Sequence, residues 1–392
     1  MKQEQAYIGR RPILDLQQRI AAHELIFCDD GMVVGTLQAA LEEQELPWQL
    51  NEKQVFVRID PPHDSLHHLS SLLVPAGTVL EIGADAAADE SLVERCRELR
   101  AQGYRFALKG PVAAPTPLLA CADYVKLDVA ALDAAALAQA LIPLRRLPLQ
   151  LIAENVDSAE QMEACRLAGF HLLQGKYFMR PPAFTTKVIN PAFATVLELL
   201  NLVSRDADMG QIEAGFKRDP ALSFKLLRYI NSVGFGLSCE IQSIRHALTV
   251  IGIKQLYRWL TLLMVTAGEN SASPALMQAA IMRGRLTELL GTNYFDKAGR
   301  DNLFVIGAFS LLECMLGMGM PQILQKIDLP EVIHEALLTR SGIYGPFLAL
   351  AEACETANMD CMRARAESLH LRPAQVNQYH LAAMAWAGEL SL

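Results

Sequence analysis

The chain has 392 residues, 52% of them hydrophobic and 20% charged, which is material for two packed domains. A formal net charge of −8 argues against a nucleic-acid binder working through a basic surface, since phosphate contacts need clustered Lys and Arg. The eight cysteines form no CxxC pair and read as reduced core thiols, and the opening MKQEQAYIGRRP has no apolar signal-peptide core, so a cytoplasmic protein is expected.

In chain order, short β-prone runs come first: HELIF, QVFVRI, GTVLEI, YRFAL, YVKLDV, LQLIAEN and HLLQGKYF. Between most of them lie stretches with helical spacing, such as DESLVERCRELRAQG and DSAEQMEACRLAG, both ending in the glycine that often closes a helix. Strand and helix alternating at intervals of about 25 residues predict a parallel sheet with helices outside. Seven or more such units predict a closed, TIM-type (β/α) barrel.

The predicted strands carry polar residues at or just past their ends: Glu24, Arg58 with Asp60, Glu81, Lys109, Lys126 with Asp128, Glu154 and Gln174. In a β/α barrel these ends meet on one rim, where ligands bind. Taken singly, each could cap a strand or pair with a neighbour; as a set in register they predict a shared pocket.

MRPPAFTTKVINPAF, by its prolines and threonines, reads as a linker. Beyond it the apolar spacing turns helical, and no convincing strand is found. Asp219-Pro220 and Ser273-Pro274 look like N-caps followed by proline at the first helical position. Leu303 to Met320 is apolar and nearly long enough to span a bilayer. Its Glu313, Ser310 and three glycines instead predict the central helix of a bundle. The expected organisation is a barrel over 1–182, a linker over 183–192 and an all-helical domain over 193–392.

The strand-end residues, in their order, resemble the EAL domains that hydrolyse the bacterial messenger cyclic di-GMP. AHELIF places Glu24 in the position of the signature glutamate. VLEI carries Glu81, VKLDV carries the Lys-x-Asp pair Lys126 and Asp128, AENVD keeps Glu154, and QGKYF keeps Gln174 and Gly175. The helical half resembles HDOD domains, through DPAL, LLRYINS, SIRHA and LYRWL. The two together resemble the EAL–HDOD, or YuxH-like, class of bacterial signalling proteins.

Several positions depart from the EAL pattern. The family's paired aspartates fall on Lys109, Gly110 and Pro111, its metal-binding asparagine on or near Arg58, its phosphate-contacting arginine near Cys28, and an early glutamine on Arg11. The family's chemistry uses paired Mg²⁺ or Mn²⁺ ions, which need several oxygen ligands. With ligands replaced by cations, the resemblance implies a degenerate barrel: not an enzyme, without a metal or other cofactor, acting as a scaffold through unidentified signalling proteins. Lys109 would then serve as counter-ion to Glu24, Glu81 or Glu154, and Arg58 could do the same. Two alternatives are a cyclic di-GMP receptor that binds without hydrolysis, and a residual phosphodiesterase using Glu24, Glu81, Asp128 and Glu154 with Lys126 and Mg²⁺ or Mn²⁺. Nucleic-acid binding and a membrane span are not expected.

Other candidates are weaker. His63-Asp64 and His67 read as solvated loop residues, Cys239 has no evident base for a catalytic thiol, and Tyr257 and Trp259 read as core.

Overall fold

The computed structural model describes residues 6–27, 33–41, 48, 50, 53–59, 72–85, 90–111, 116–179, 191–231, 241, 243–266 and 273–389. Cys28, Asp60, the His63–His67 loop, Cys239 and the expected linker up to residue 190 lie outside them.

Eight strands close into a barrel: β1 (Ile8–Asp15), β2 (Ile20–Phe27), β3 (Gln54–Arg58), β4 (Thr78–Gly83), β5 (Arg105–Lys109), β6 (Tyr124–Asp128), β7 (Gln150–Glu154) and β8 (Leu172–Leu173). β2 to β8 pair in parallel, while β1 runs antiparallel to both neighbours, β2 and β8, and closes the ring. The seven predicted strands are present; β1 is the one that sequence patterning did not supply. Its IGRRPILD segment breaks the apolar run with two arginines and a proline.

The barrel interior follows from the two-residue period of a strand. Ile13, Ala22, Phe56, Val79, Ala107, Tyr124, Ile152 and Leu172, one from each strand, form a buried apolar layer. The phenol of Tyr124 is kept satisfied there by Gln54 Oε1 at 2.6 Å. The connecting helices form as their caps predict. Ser158 and Gln161 make a capping box on Ala159–Ala168, and Gly169 closes that helix in the left-handed conformation.

By its internal contacts the chain divides into two compact units, residues 1–180 with 273–278 and 349–392, and residues 181–272 with 279–348. This differs from a single boundary at 183–192. Within the first unit, the C-terminal helix Pro373–Glu389 supplies partners that the start of β1 needs. Ile8 N donates to Asn377 Oδ1 at 2.8 Å, Asn377 Nδ2 donates to the carbonyl of Ala6 at 2.8 Å, and Arg10 Nε donates to His380 Nε2 at 2.9 Å. Arg10 also pairs with Glu355 at 3.0 Å. Burial and the nearby Arg10 push the His380 ring down to about 3, so it is neutral and its Nδ1–H donates to the carbonyl of Ile8.

The second unit is helical throughout its described residues. Asp219 accepts from Leu222 N at 3.0 Å, as its cap position predicts. Ser273 caps Pro274–Leu290 in the same way, accepting from Leu276 N at 3.1 Å. Trp259 is a core residue, stacked between Phe216 and Tyr229 at 6.2 and 5.8 Å.

The apolar run from Leu303 is not one helix. Lys297–Phe309 stops at Ser310, and the short helices Leu312–Leu316 and Met320–Leu324 come next, separated by Gly317 in the left-handed conformation. Among the described residues one helix, Ile244–Thr266, is long and apolar enough to cross a membrane, and it is broken at Gly252 (φ 70°, ψ 159°).

Candidate functional site

Every expected rim residue but Asp128, and Asp60 outside the described residues, stands two positions beyond a member of the apolar layer. Glu24 follows Ala22, Arg58 follows Phe56, Glu81 follows Val79, Lys109 follows Ala107, Lys126 follows Tyr124, Glu154 follows Ile152 and Gln174 follows Leu172. A period of two puts them on the same inward face, one layer nearer the strands' C-terminal ends. Register confirms the neighbours: Arg58 lies across from Glu81, and Lys109 across from Lys126.

Four of these side chains meet at one point, and a fifth reaches it from the open side. Lys126 is fully buried, with its Nζ 2.7 Å from Glu81 Oε2, 3.0 Å from Glu24 Oε1 and 3.5 Å from Glu154 Oε1. Lys109, whose side chain is 29% exposed, places its Nζ 2.9 Å from Glu154, 3.7 Å from Glu81 and 4.0 Å from Glu24. Gln174 Nε2 donates to Glu24 Oε2 at 2.8 Å. The Phe56 ring lies 5.8 Å from the Lys126 ammonium and forms part of the floor.

Burial opposes charge on all of these groups, and their mutual pairing decides which keep it. Burial would strip the proton from Lys126, but Glu81, Glu24 and Glu154 outweigh it and hold the ammonium well above the ordinary lysine range. Burial raises Glu24 as well, yet Lys126 and Lys109 overcome this and hold its carboxyl below the usual range. For Glu81 burial wins: helped by Glu24 beside it, burial overcomes the pull of Lys126 and pushes the carboxyl up. Glu81 Oε1 is buried without a hydrogen-bond partner.

Asp128 is not brought into this cluster. Its Oδ1 accepts from Ala130 N and Ala131 N at 2.9 and 3.2 Å, and its Oδ2 accepts from Asn155 Nδ2 at 2.8 Å. Its carboxylate thus stabilises the turn after β6. Asn155 was not singled out from sequence; its left-handed backbone (φ 58°) was the available signal, because Asn tolerates that region. Arg58 is half-buried at the end of β3, and Arg11 is exposed on β1.

Gly110 has a positive φ of 108° and donates its N–H to the carbonyl of Lys126 at 2.9 Å. That conformation suits glycine and strains any residue with a side chain. The backbone therefore excludes an unstrained aspartate at position 110, the first residue after β5.

The donors in this arrangement do not fit the divalent pair that the EAL pattern implies. The Lys109 ammonium lies within 4.0 Å of all three glutamates. A divalent ion about 4 Å from it would be opposed by roughly 8 kcal/mol at an effective dielectric near 20. Among the described residues no group of three or more His, Cys, Asp or Glu side chains is placed to hold a metal.

Family comparison agrees with the two halves. The EAL domain family matches residues 44–181, and the HDOD domain family matches residues 190–295. The chain carries an EAL domain followed by an HDOD domain. β1, β2 and Glu24 lie ahead of the EAL match, and it is the closed barrel that ties them to it.

Two relatives span both halves. The cyclic di-GMP phosphodiesterase CdgJ of Vibrio cholerae is 27% identical over 98% of this chain and 93% of its own. The uncharacterized protein YuxH of Bacillus subtilis is 24% identical over 98% of each. Among solved structures, the PaMucR phosphodiesterase with cyclic di-GMP is 18% identical, covers 44% of this chain and 94% of its own, and has a TM-score of 0.37. Klebsiella pneumoniae BlrP1 with manganese and cyclic di-GMP is 17% identical, covers 45% of this chain and 55% of its own, and has a TM-score of 0.36. This chain therefore spans little more than half the length of BlrP1.

These relatives correct the expectation that the chain is not an enzyme. A protein with the same two-domain extent is named a cyclic di-GMP phosphodiesterase. The departures at Arg58, Lys109 and Gly110 therefore do not carry an inference of inactivity. The physical reason is visible at the rim: Glu24, Glu81 and Glu154 converge on Lys126.

Proposed function

We propose that this EAL–HDOD protein acts on cyclic di-GMP as a phosphodiesterase, with the rim cluster as its site. The observation that carries this reading is the convergence of Glu24, Glu81, Glu154 and Lys126 at the C-terminal end of the barrel, each in the place the EAL pattern gives it. The whole-length relative named for that activity supports it.

The chain's own residues divide the work. Lys126 fixes the three carboxylates, and Gln174 orients Glu24. Glu24 and Glu81, whose proton affinities are pushed apart, supply an ionised acceptor and a carboxyl that carries a proton more readily. Lys109, the cation open to solvent, offers its ammonium to a phosphate oxygen. To the HDOD region we assign contact with a signalling partner, in the cytoplasm.

The test is direct. Purified full-length protein is incubated with cyclic di-GMP and Mg²⁺ or Mn²⁺, with a Glu24→Gln variant as control. Linear dinucleotide above the control is the expected result. Absence of product refutes the proposal, and calorimetric binding without product would make the rim a nucleotide receptor instead.

A further inference from the structure

The second, helical unit holds a cavity of about 210 Å³, and every residue lining it belongs to that unit. Two helices supply its polar lining. On Ile244–Thr266, Lys254 and Tyr257 lie one turn apart and bring an ammonium and a phenolic hydroxyl. On Lys297–Phe309, Asp301 and Asn302 bring acceptor oxygens. Val203, Ile253 and Pro330 add apolar surface. Tyr257, expected in the core, is thus half-buried against a cavity.

Several of these groups are not used within the protein. Among the described residues the Lys254 ammonium has no carboxylate partner, and the Tyr257 hydroxyl has no hydrogen-bond partner. Burial pushes the Tyr257 phenol up, so it stays a neutral donor. Asn302 commits its Nδ2 to the Tyr344 hydroxyl at 3.2 Å, which leaves Oδ1 available. Asp301 is different: Arg258 and Arg285 together balance Glu288 and Asp301. The charge left unbalanced in the lining is therefore the positive one on Lys254. The backbone adds to it. The first helix breaks at Gly252 and restarts at Ile253, and Ala298 stands in the first turn of the second, so two helix starts adjoin the cavity and favour negative charge.

We propose that this cavity is a binding site for a small carboxylic acid. Its carboxylate pairs with Lys254 and accepts from Tyr257, its apolar body rests on Val203, Ile253 and Pro330, and an N–H or O–H at its other end donates to Asn302 Oδ1. One lysine balances one negative charge, which suits a carboxylate better than a phosphate dianion. Pockets for drug-sized ligands run to about 300–1,000 Å³, so the occupant is smaller, of amino-acid or hydroxybenzoic-acid size. No rim residue of the barrel takes part, so this site and the nucleotide reading can fail separately.

The experiment is isothermal calorimetry of the full chain at neutral pH and low salt, with 4-hydroxybenzoate and L-leucine as probes. The first offers a hydroxyl donor and the second an ammonium, so the pair shows which donor the acceptor side prefers. At least one acid is expected to bind with a Kd below about 1 mM. Its amide, 4-hydroxybenzamide or L-leucinamide, keeps the body and loses the negative charge, and should bind roughly tenfold more weakly or worse. Lys254→Met should weaken the acid by a similar factor and Tyr257→Phe by about fivefold. Should Lys254→Met lower the melting temperature, the comparison of acid with amide on the wild type still decides. Binding of neither acid below about 1 mM, an amide that binds as tightly as its acid, or equal affinity in wild type and a stably folded Lys254→Met would each overturn the proposal.

Discussion

Replacing Lys126 with methionine tests the energetics of the rim most severely. The substitution keeps the unbranched stem and removes the ammonium that lies 2.7, 3.0 and 3.5 Å from three glutamates. Removing one partner of a buried ion pair costs about 3–5 kcal/mol, because the other charge stays buried and uncompensated. Lys109 remains, but its nearest approach to Glu24 is 4.0 Å, so it recovers little of what Glu24 loses. Urea unfolding at pH 7 should therefore show a loss of about 3–5 kcal/mol, with amide exchange in β6 and β7 locating that loss in the barrel.

The pH dependence originates in Glu24. In the wild type its carboxyl is held below the ordinary range, so its contribution is present above the unfolded carboxylate value and is lost as pH falls through the folded one. Lys126→Met removes that contribution at pH 7 and has none left to remove once the group is protonated. The deficit should thus hold from pH 7 down to the unfolded carboxylate value of about 4.3 and shrink only below it, as Glu24 takes up its proton. A deficit below about 1 kcal/mol at pH 7, or one that does not shrink as pH falls below that value, would refute the reasoning.

Further outcomes are expected elsewhere. Burial and Arg10 push His380 down to about 3 from an unfolded value near 6.5, so its contribution is present above pH 6.5 and lost as pH falls toward 3. Urea stability of the wild type should fall over that window by about 1 kcal/mol per pH unit more steeply than that of His380→Gln, and parallel profiles would count against a neutral buried ring. Gly110→Asp should lower the melting temperature, at a cost of about 1 kcal/mol or more from its positive φ. Trp259→Ala removes the ring between Phe216 and Tyr229, and calorimetry should show a loss of about 3–5 kcal/mol in the helical unit; a loss under about 1 would contradict its core role.

The barrel was legible because each of its parallel strands repeats one local pattern, an apolar residue followed two places on by a polar one. Ala22 and Glu24, Val79 and Glu81, and Ile152 and Glu154 are examples. β1 escaped that pattern because it runs the other way and mixes Arg10, Arg11 and Pro12 into its length. The long apolar run after Leu303 misled for a related reason: composition reports burial, while the break at Ser310 and the left-handed Gly317 are set by backbone conformation. Lys109 was legible as a counter-ion to the rim glutamates, and it pairs with all three; the setting of Asp128 was not. Asp128 reads as a member of the site and is instead held by a turn.

By itself the sequence determined the fold of the barrel, the helical character of the C-terminal half, and which residues stand at the strand ends, because these depend on periodicity and on short-range capping. Only the tertiary structure decided that Lys109 and Lys126 share three carboxylates, that Glu81 keeps an unsatisfied oxygen, and that the C-terminal helix closes the start of β1 through Asn377 and His380. Those facts join residues up to 372 positions apart, and no local pattern encodes the distance between two charges that meet only when a barrel closes.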